Sequence, residues 1–112
     1  MEPPTLSHKL HEIISHNITN DLNAGSLSSI LAMSESTLHR KLNAEGNSLQ
    51  SIKDRVKLGY GLHLIQTSLE PIGLIAEQCG YTSQSRFTEK FKKLFDITPT
   101  ELRKTRMRDS GE

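Results

Sequence analysis

Two segments of the chain repeat one pattern, a serine followed by two apolar residues at helical spacing. The copies, 49 residues apart, are Ser34-x3-Leu38-x3-Leu42 and Ser83-x3-Phe87-x3-Phe91. Serine favours the N-cap position of a helix, and apolar residues four apart lie on one helical face. The repeat therefore predicts two similar helices, each of which begins at a serine and buries one face.

The second copy follows a short helix and a tight turn. Residues 72–79 have helical apolar spacing, and Gly80-Tyr81 supplies the turn before the longer helix. That longer helix is expected to bury Phe87, Phe91, Leu94 and Phe95. A short helix, a turn and a longer helix in this order form a helix-turn-helix unit, which places its second helix in the major groove of DNA.

The first copy has the same organisation. Asn23 is expected to cap a short helix that runs to about residue 31, and Ser34 caps the next helix, which ends at Gly46-Asn47. The short helix is expected to bury Leu27, Ile30 and Leu31. The sequence therefore predicts two helix-turn-helix units in tandem.

Two more helices flank and connect these units. Apolar spacing over residues 6–22 predicts a first helix, and residues 48–70 form a long helix that stops before Pro71. At about 1.5 Å per residue the long helix spans about 30 Å. Successive major-groove faces of B-DNA lie about 34 Å apart, so it could hold two recognition helices one DNA turn apart. Gly59 and Gly61 weaken this helix, and close helix packing or a hinge would explain them.

The last helix has a specific start signal. Thr98 at the N-cap, Pro99 at the first helical position and Glu101 at the third predict a helix that runs to about residue 106. We therefore expect an all-α fold with seven helices, in which two homeodomain-like helix-turn-helix subdomains are joined by a long central helix. The expected ranges are a linker-like start at 1–5, a first subdomain at 6–47, a connecting helix at 48–70, a second subdomain at 71–106 and a frayed tail at 107–112.

Composition excludes several classes of function. Cys79 is the only cysteine, which excludes an intramolecular disulfide framework or a cysteine-based zinc site, and its apolar neighbours favour a buried, inert thiol. No apolar run approaches the roughly 18 residues of a membrane span, and no export signal is present, so a soluble cytoplasmic protein is expected. The polar face that holds His8, His11 and His16 is expected to be solvated rather than to bind metal. We find no catalytic or cofactor-binding motif.

Positive charge is concentrated near the C-terminus. Residues 83–108 contain eight basic and three acidic residues, whereas residues 1–52 contain three basic and five acidic residues. Affinity for phosphate depends on where charge lies rather than on the net value of +1. The second unit is therefore expected to bind DNA phosphates more firmly than the first.

A longer pattern identifies a family resemblance. It reads Ala76-x3-Gly80-Tyr81-x5-Phe87-x3-Phe91-Lys92-x3-Asp96-x-Thr98-Pro99-x2-Leu102-Arg103. On these residues the chain resembles the DNA-binding module of the AraC/XylS family of bacterial transcription regulators, from the first helix to about Arg106. Asp96 stands where glycine is usual, and aspartate tolerates the left-handed conformation that such a helix end needs. Leu102 stands where tyrosine is usual, and only a hydroxyl contact is lost.

The resemblance implies that two helix-turn-helix units read adjacent major-groove segments on one face of bent DNA. Carried onto this sequence, the base-reading residues are Ser36, Thr37, His39 and Arg40 in the first unit and Gln84, Ser85, Thr88 and Glu89 in the second. Arg40 suits guanine, Gln84 suits adenine, and Glu89 can accept a hydrogen bond from cytosine N4. Arg40 could instead be solvated or paired within the protein, and Glu89 could pair with a lysine of its own helix.

Phosphate contacts are expected from the basic residues of the same helices. These are Lys41, Arg86, Lys90, Lys92 and Lys93. The two lysines near the helix end suit phosphates better than bases, whereas Arg86 and Lys90 could contact either. A solvated lysine face is the alternative.

The expected function is sequence-specific binding to double-stranded promoter DNA with activation, or less often repression, of transcription. RNA polymerase is an expected second partner. The alternative is a helical protein-interaction module that contacts RNA polymerase or a regulator without reading bases. The resemblance also implies an effector-binding or dimerisation domain that is missing from this chain, and the linker-like Pro3-Pro4 start favours a fragment over a short family member.

Overall fold

The computed structural model describes residues 5–18, 20 and 22–110, with side chains through residue 106. Seven α-helices and no strand lie in this part of the chain, so the predicted all-α class is confirmed. The helices are α1 (Leu6–Ser15), α2 (Ala24–Ile30), α3 (Glu35–Ala44), α4 (Leu49–Thr67), α5 (Ile72–Gln78), α6 (Gln84–Phe95) and α7 (Pro99–Ser110).

The chain divides into two compact units. Unit 1 is Met1–Val56 and unit 2 is Lys57–Glu112, so the boundary falls within α4. Unit 1 contains α2 and α3, and unit 2 contains α5 and α6. Each unit therefore has its own helix-turn-helix element.

Unit 1 has an aliphatic core. Leu10 of α1, Leu27 of α2, and Leu38 and Leu42 of α3 are fully buried, and Ile52 of α4 packs into the same cluster. Each such burial stabilises the fold by roughly 1.5–3 kcal/mol. The predicted buried face of α3 is confirmed.

The first helix is shorter than predicted. It ends at Ser15, whereas the apolar spacing predicted a helix to about residue 22. Asn17 Nδ2 donates a hydrogen bond of 2.7 Å to the carbonyl of Ile13 and so satisfies one of the free acceptors at the helix end. Ile18 and Leu22 still pack against the core of unit 1, from the segment after the helix. Apolar spacing therefore continues past the point at which the helix stops.

Unit 2 has an aromatic core. Phe87 and Phe91 of α6 are fully buried, and their ring centroids are 5.6 Å apart. The ring centroid of Phe95 lies 4.7 Å from that of Phe91. Tyr81, in the turn, lies 5.6 Å from Phe87. Cys79 is buried in the same cluster, and burial raises the pKa of its thiol to about 12. The thiol is therefore neutral near pH 7, which agrees with the predicted buried cysteine.

Two residues that the apolar pattern assigned to the core are exposed. Ile30, the last residue of α2, is 57% exposed, and Leu94, near the end of α6, is 43% exposed. Both predictions of burial are wrong. Each residue lies at the C-terminal end of its helix.

One of the two glycines in α4 has a packing role. A Cβ on Gly61 would lie only 2.8 Å from Phe87 Cε1 and Cζ and 3.3 Å from Cys79 Sγ. The expected close contact is therefore confirmed at Gly61. Gly59 has no atom within 4 Å of such a Cβ, so packing does not explain it.

The signals around α7 form as predicted. Asp96 ends α6 in the left-handed conformation, with φ 62° and ψ 18°. Thr98 Oγ1 accepts a hydrogen bond of 3.1 Å from the Glu101 backbone N–H, which completes the N-cap. The helix runs to Ser110, four residues beyond its predicted end near residue 106.

Candidate nucleic-acid interface

The turn of unit 1 uses an alanine in a left-handed conformation. Ala32 has φ 55°, a value that costs a residue with a Cβ about 1–2 kcal/mol. The Met33 backbone N–H donates to the Ser28 carbonyl at 2.9 Å and closes the end of α2. Ser34 then caps α3, because its Oγ accepts from the Thr37 backbone N–H at 3.1 Å.

The turn of unit 2 has the same bonds but uses glycine. Gly80 has φ 89°, and the Tyr81 N–H donates to the Ala76 carbonyl at 3.0 Å. Ser83 caps α6 by accepting from the Arg86 N–H at 3.2 Å. Two residues separate Gly80 from Ser83, whereas one residue separates the left-handed alanine of unit 1 from its N-cap. Ser34 and Ser83, which begin the repeated pattern, thus both act as the N-cap of a recognition helix.

The predicted base readers of α3 lie together at its N-terminal half. Ser36, His39 and Arg40 are exposed, and Thr37 is half-buried. Thr37 Oγ1 accepts a hydrogen bond of 2.9 Å from Ser34 Oγ, so this hydroxyl is already part of the helix cap. The structure shows no hydrogen bond or ion pair of Arg40 with another described residue, so the guanidinium can face a ligand.

The predicted base readers of α6 occupy the corresponding part of unit 2. Gln84, Ser85 and Glu89 are exposed, and Thr88 is half-buried. Gln84 Oε1 lies against α5, 3.0 Å from where a Cβ on Gly73 would be. Within the described residues no ion pair joins Glu89 to a lysine of its helix.

The predicted phosphate-contacting residues are mostly on the surface. The exposed members are Lys41 of α3 and Arg86, Lys92 and Lys93 of α6. Lys90 is half-buried. Lys92 and Lys93 lie in the last turn of α6, where their positive charges also interact favourably with the negative end of the helix dipole.

Two arginines of the basic C-terminal segment have a structural role instead. Arg103 Nη1 donates to the Glu70 carbonyl and Nη2 to the Ser68 carbonyl at 3.0 Å. Arg106 Nη1 donates to the carbonyls of Ile65 and Ser68, each at 2.7 Å. Burial, with the charge of Arg106, lowers the pKa of Arg103. These two charges satisfy the carbonyl end of α4, so the positive charge of unit 2 that can meet DNA is smaller than the sequence count.

Two features of the site were missed by sequence reasoning. The left-handed Ala32 gave no signal, because alanine is ordinarily a helix former. The roles of Arg103 and Arg106 were also missed, although Arg103 closes the family pattern. A residue that recurs in a motif but lies outside the recognition helix could have indicated a structural contact.

The predicted histidine face is solvated where the structure describes it. His8, His11 and His16 are exposed. His8 Nε2 lies 3.3 Å from Glu12 Oε1 on the same helix. No group of three potential metal ligands occurs among the described residues.

Comparison with known proteins identifies the family. A helix-turn-helix domain family matches residues 27–105, which run from within α2 to within α7 and include both recognition helices, α3 and α6. The chain belongs to the AraC family of transcription regulators. It is an AraC-family DNA-binding domain, and the family is not enzymatic. The resemblance inferred from the sequence is therefore confirmed.

Curated bacterial relatives extend well beyond this chain. It is 30% identical over 94 residues to the HTH-type transcriptional regulator AdiY of Escherichia coli, which is 84% of the chain and 37% of AdiY. It is 32% identical over 101 residues to the transcriptional regulator SirC of Salmonella typhimurium, which is 90% of the chain and 34% of SirC. The chain thus spans about a third of the length of these relatives.

Solved structures share the fold. A DNA-binding transcriptional dual regulator from Escherichia coli K-12 superposes with a TM-score of 0.90 at 28% identity, and the match covers 96% of this chain and 97% of that one. The DNA-binding domain of AdpA, solved in complex with a target DNA, has a TM-score of 0.80 at 16% identity, with 97% and 99% covered. Within the described residues, no helix combines the length and apolarity that crossing a membrane requires.

Proposed function

We propose that this domain binds specific sequences in double-stranded DNA by inserting α3 and α6 into successive major-groove segments. The observation that carries the proposal is the duplicated geometry: each helix begins at a serine cap, buries one apolar face and exposes polar side chains near its start. In helix-turn-helix proteins the N-terminal residues of the second helix contact base edges. The DNA complex of AdpA, which has the same fold, supports the assignment.

The exposed side chains suit different bases. Arg40 can donate two hydrogen bonds to guanine O6 and N7, and Gln84 can bond adenine N6 and N7. Glu89 can accept from cytosine N4, and the Thr88 methyl can contact the methyl group of thymine. Ser36, Thr37, His39 and Ser85 complete the surface that reads bases.

Phosphate contacts position the domain. We assign these to Lys41, Arg86, Lys90, Lys92 and Lys93, which lie on the same two helices as the readers. Such contacts supply affinity that does not depend on base sequence and that falls as salt rises.

Selection of duplexes from a random pool, followed by titration of the enriched site, tests the proposal. With the enriched site, Arg40→Ala is expected to lose roughly 1–3 kcal/mol of discrimination at one base pair. Lys92→Ala is the control, because Lys92 is assigned to a phosphate rather than to a base. It should weaken every duplex and reduce the salt slope by about 1.

Two results would contradict these assignments. If no sequence is enriched above non-specific background, specific DNA binding is wrong. If Arg40→Ala weakens all duplexes equally, Arg40 contacts phosphate rather than guanine.

Activation through contact with RNA polymerase is the second part of the proposal. Leu69, in the segment between α4 and α5, is 74% exposed, and such an apolar side chain is available for a protein partner. In transcription with purified polymerase, Leu69→Ser should lower promoter output and leave DNA affinity unchanged. If Leu69→Ser leaves the promoter output unchanged, Leu69 does not contact the polymerase. If the wild-type domain gives a lower output than polymerase alone, the domain represses transcription.

The same exposed leucine favours the alternative of a protein-interaction module that does not read bases. That alternative predicts that alanine at Ser36, His39, Gln84 and Thr88 leaves the transcriptional output unchanged. Loss of output from these four variants, with wild-type stability, would exclude it.

A further inference from the structure

Corresponding residues of the two recognition helices differ in charge. Glu35 is the first residue of α3 and Gln84 the first residue of α6, each directly after its serine cap. A Cβ on Gly25 would lie 3.8 Å from Glu35 Oε1, just as one on Gly73 would lie 3.0 Å from Gln84 Oε1. One position of the repeat therefore holds a carboxylate in unit 1 and a neutral amide in unit 2.

The structure provides no neutralising partner for the Glu35 carboxylate. The residue is exposed, and no ion pair within the described part of the chain includes it. The Oδ1 atom of Asn23, 3.2 Å from the same Gly25 Cβ position, is itself an acceptor and already accepts from the Ser26 N–H at 2.8 Å. Among the described residues, the Glu35 carboxylate therefore has no hydrogen-bond or ion-pair partner on the surface that joins the starts of α2 and α3.

We propose that Glu35 lowers the affinity of unit 1 for DNA phosphates of any sequence. The inference rests on the proposed function, in which the start of α3 faces DNA. A carboxylate at that place repels the phosphate backbone whatever the bases are, because each phosphate is negative. Unit 1 then binds firmly only where base contacts such as those of Arg40 compensate for the repulsion.

The side chains at this position lie beside the first helix of each unit. Glu35 Oε1 lies beside Gly25 of α2, as Gln84 Oε1 lies beside Gly73 of α5. In a helix-turn-helix the first helix crosses the DNA backbone, so a charge beside that helix acts on the phosphates. The two units therefore present a different charge to the backbone at the same place.

Reciprocal exchange of the two residues is the test. Glu35→Gln gives unit 1 the amide of unit 2, and Gln84→Glu gives unit 2 the carboxylate of unit 1. Dissociation constants are measured by fluorescence anisotropy, for the selected site and for a scrambled duplex, over a series of salt concentrations. Glu12→Gln is the charge control, because it removes one carboxylate from α1, which is not a recognition helix.

The two exchanges should act in opposite directions. At low salt, Glu35→Gln is expected to tighten both duplexes by about two- to fivefold and Gln84→Glu to weaken the scrambled duplex by a similar factor, as the Coulomb energy of one or two phosphates at about 8 Å in water requires. At the selected site Gln84→Glu also removes the proposed adenine contact, so the loss there should be larger. The differences should shrink as salt rises, because the Debye length is about 10 Å at 0.1 M. Glu12→Gln should leave affinity unchanged.

The inference is overturned if Glu35→Gln leaves affinity unchanged, if it weakens binding at a single base pair only, or if Glu12→Gln tightens binding equally. Thermal unfolding of each variant confirms that it is folded. The outcome is separable from that of the proposed function. If the domain shows no sequence preference but Glu35→Gln still tightens binding, specific recognition is contradicted and the repulsion is supported. If the domain prefers one sequence but Glu35→Gln leaves its affinity unchanged, the repulsion is contradicted and specific recognition is supported.

Discussion

The two helix-turn-helix units share a backbone plan and fill it with different side chains. Both have a serine cap, a left-handed residue at the end of the first helix, and two fully buried apolar residues on the second helix. Unit 1 uses Ala32 and a leucine core, whereas unit 2 uses Gly80 and a phenylalanine core. Both units therefore need the helix caps and the left-handed turn. The size of the core side chains can differ, because each unit has a separate hydrophobic core.

The units also differ in electrostatics, by less than the residue count suggests. Arg103 and Arg106 of unit 2 donate to backbone carbonyls at and just after the end of α4, so their guanidinium groups are engaged within the protein. The remaining contrast lies in the recognition helices, where α6 has Arg86, Lys92 and Lys93 exposed. Four predictions test this comparison, from the largest expected effect to the smallest.

Gly61→Ala should destabilise the aromatic core of unit 2. Its methyl group would meet Phe87 at 2.8 Å, and overpacking of this kind costs about 1–3 kcal/mol. Gly59→Ala on the same helix is the control, because nothing lies within 4 Å and it should stabilise the helix by up to about 1 kcal/mol. Urea unfolding measures both changes. Equal effects would show that unit 2 is not more tightly packed at Gly61 than at Gly59.

Exchange of the turn residues should change stability in opposite directions. Gly80→Ala forces a Cβ into a left-handed position and should cost about 1–2 kcal/mol. Ala32→Gly relieves that strain in unit 1, and after the entropy cost of glycine the gain should be up to about 1 kcal/mol. Thermal unfolding checks both values. A destabilised Ala32→Gly variant would mean that the turn of unit 1 is not strained.

The half-site bound by unit 1 should lose protection first as salt rises. The recognition helix of unit 1 exposes two basic residues, Arg40 and Lys41, whereas that of unit 2 exposes three, Arg86, Lys92 and Lys93. Fewer counterions are therefore released at unit 1, and its weaker contact is expected to open first. Footprinting at increasing salt measures protection of the two half-sites separately. Equal loss over both would contradict the difference between the units.

Stability should fall in acid through a contact that only unit 1 has. Glu45 accepts from Ser7 Oγ at 2.5 Å, from the Ser7 N–H at 3.0 Å and from the Leu6 N–H at 3.2 Å, and these bonds lower its pKa. The folded pKa lies below the unfolded one, so the stabilisation is present above the unfolded value and is lost as pH falls through the folded value. The corresponding residue of unit 2 is Leu94.

Glu45→Gln is the control for this acid-dependent term. It should reduce the dependence of the unfolding free energy on pH below the ordinary glutamate pKa of 4.5, by a small amount because the site is exposed. An unchanged pH profile would show that the carboxylate contributes no linkage.

Local signals predicted most of the fold. The caps at Ser34, Ser83 and Thr98 and the left-handed Asp96 formed as expected, because each depends on a bond or a backbone angle within a few residues. The errors at helix ends had one cause. Whether Ile30 or Leu94 is buried depends on what packs against that end of its helix, and helical spacing does not contain that information.

The amino-acid sequence by itself determined the seven helices, the duplicated helix-turn-helix pattern and the family. Those features follow from periodicity, capping and motif spacing, which are properties of neighbouring residues. Tertiary structure alone decided which charges are available to DNA. Arg103 and Arg106 are as basic in sequence as Lys92, but folding places them against the carbonyls at the end of α4 and leaves Lys92 exposed. A long side chain is assigned to a ligand or to the protein only by the groups that the fold brings near it.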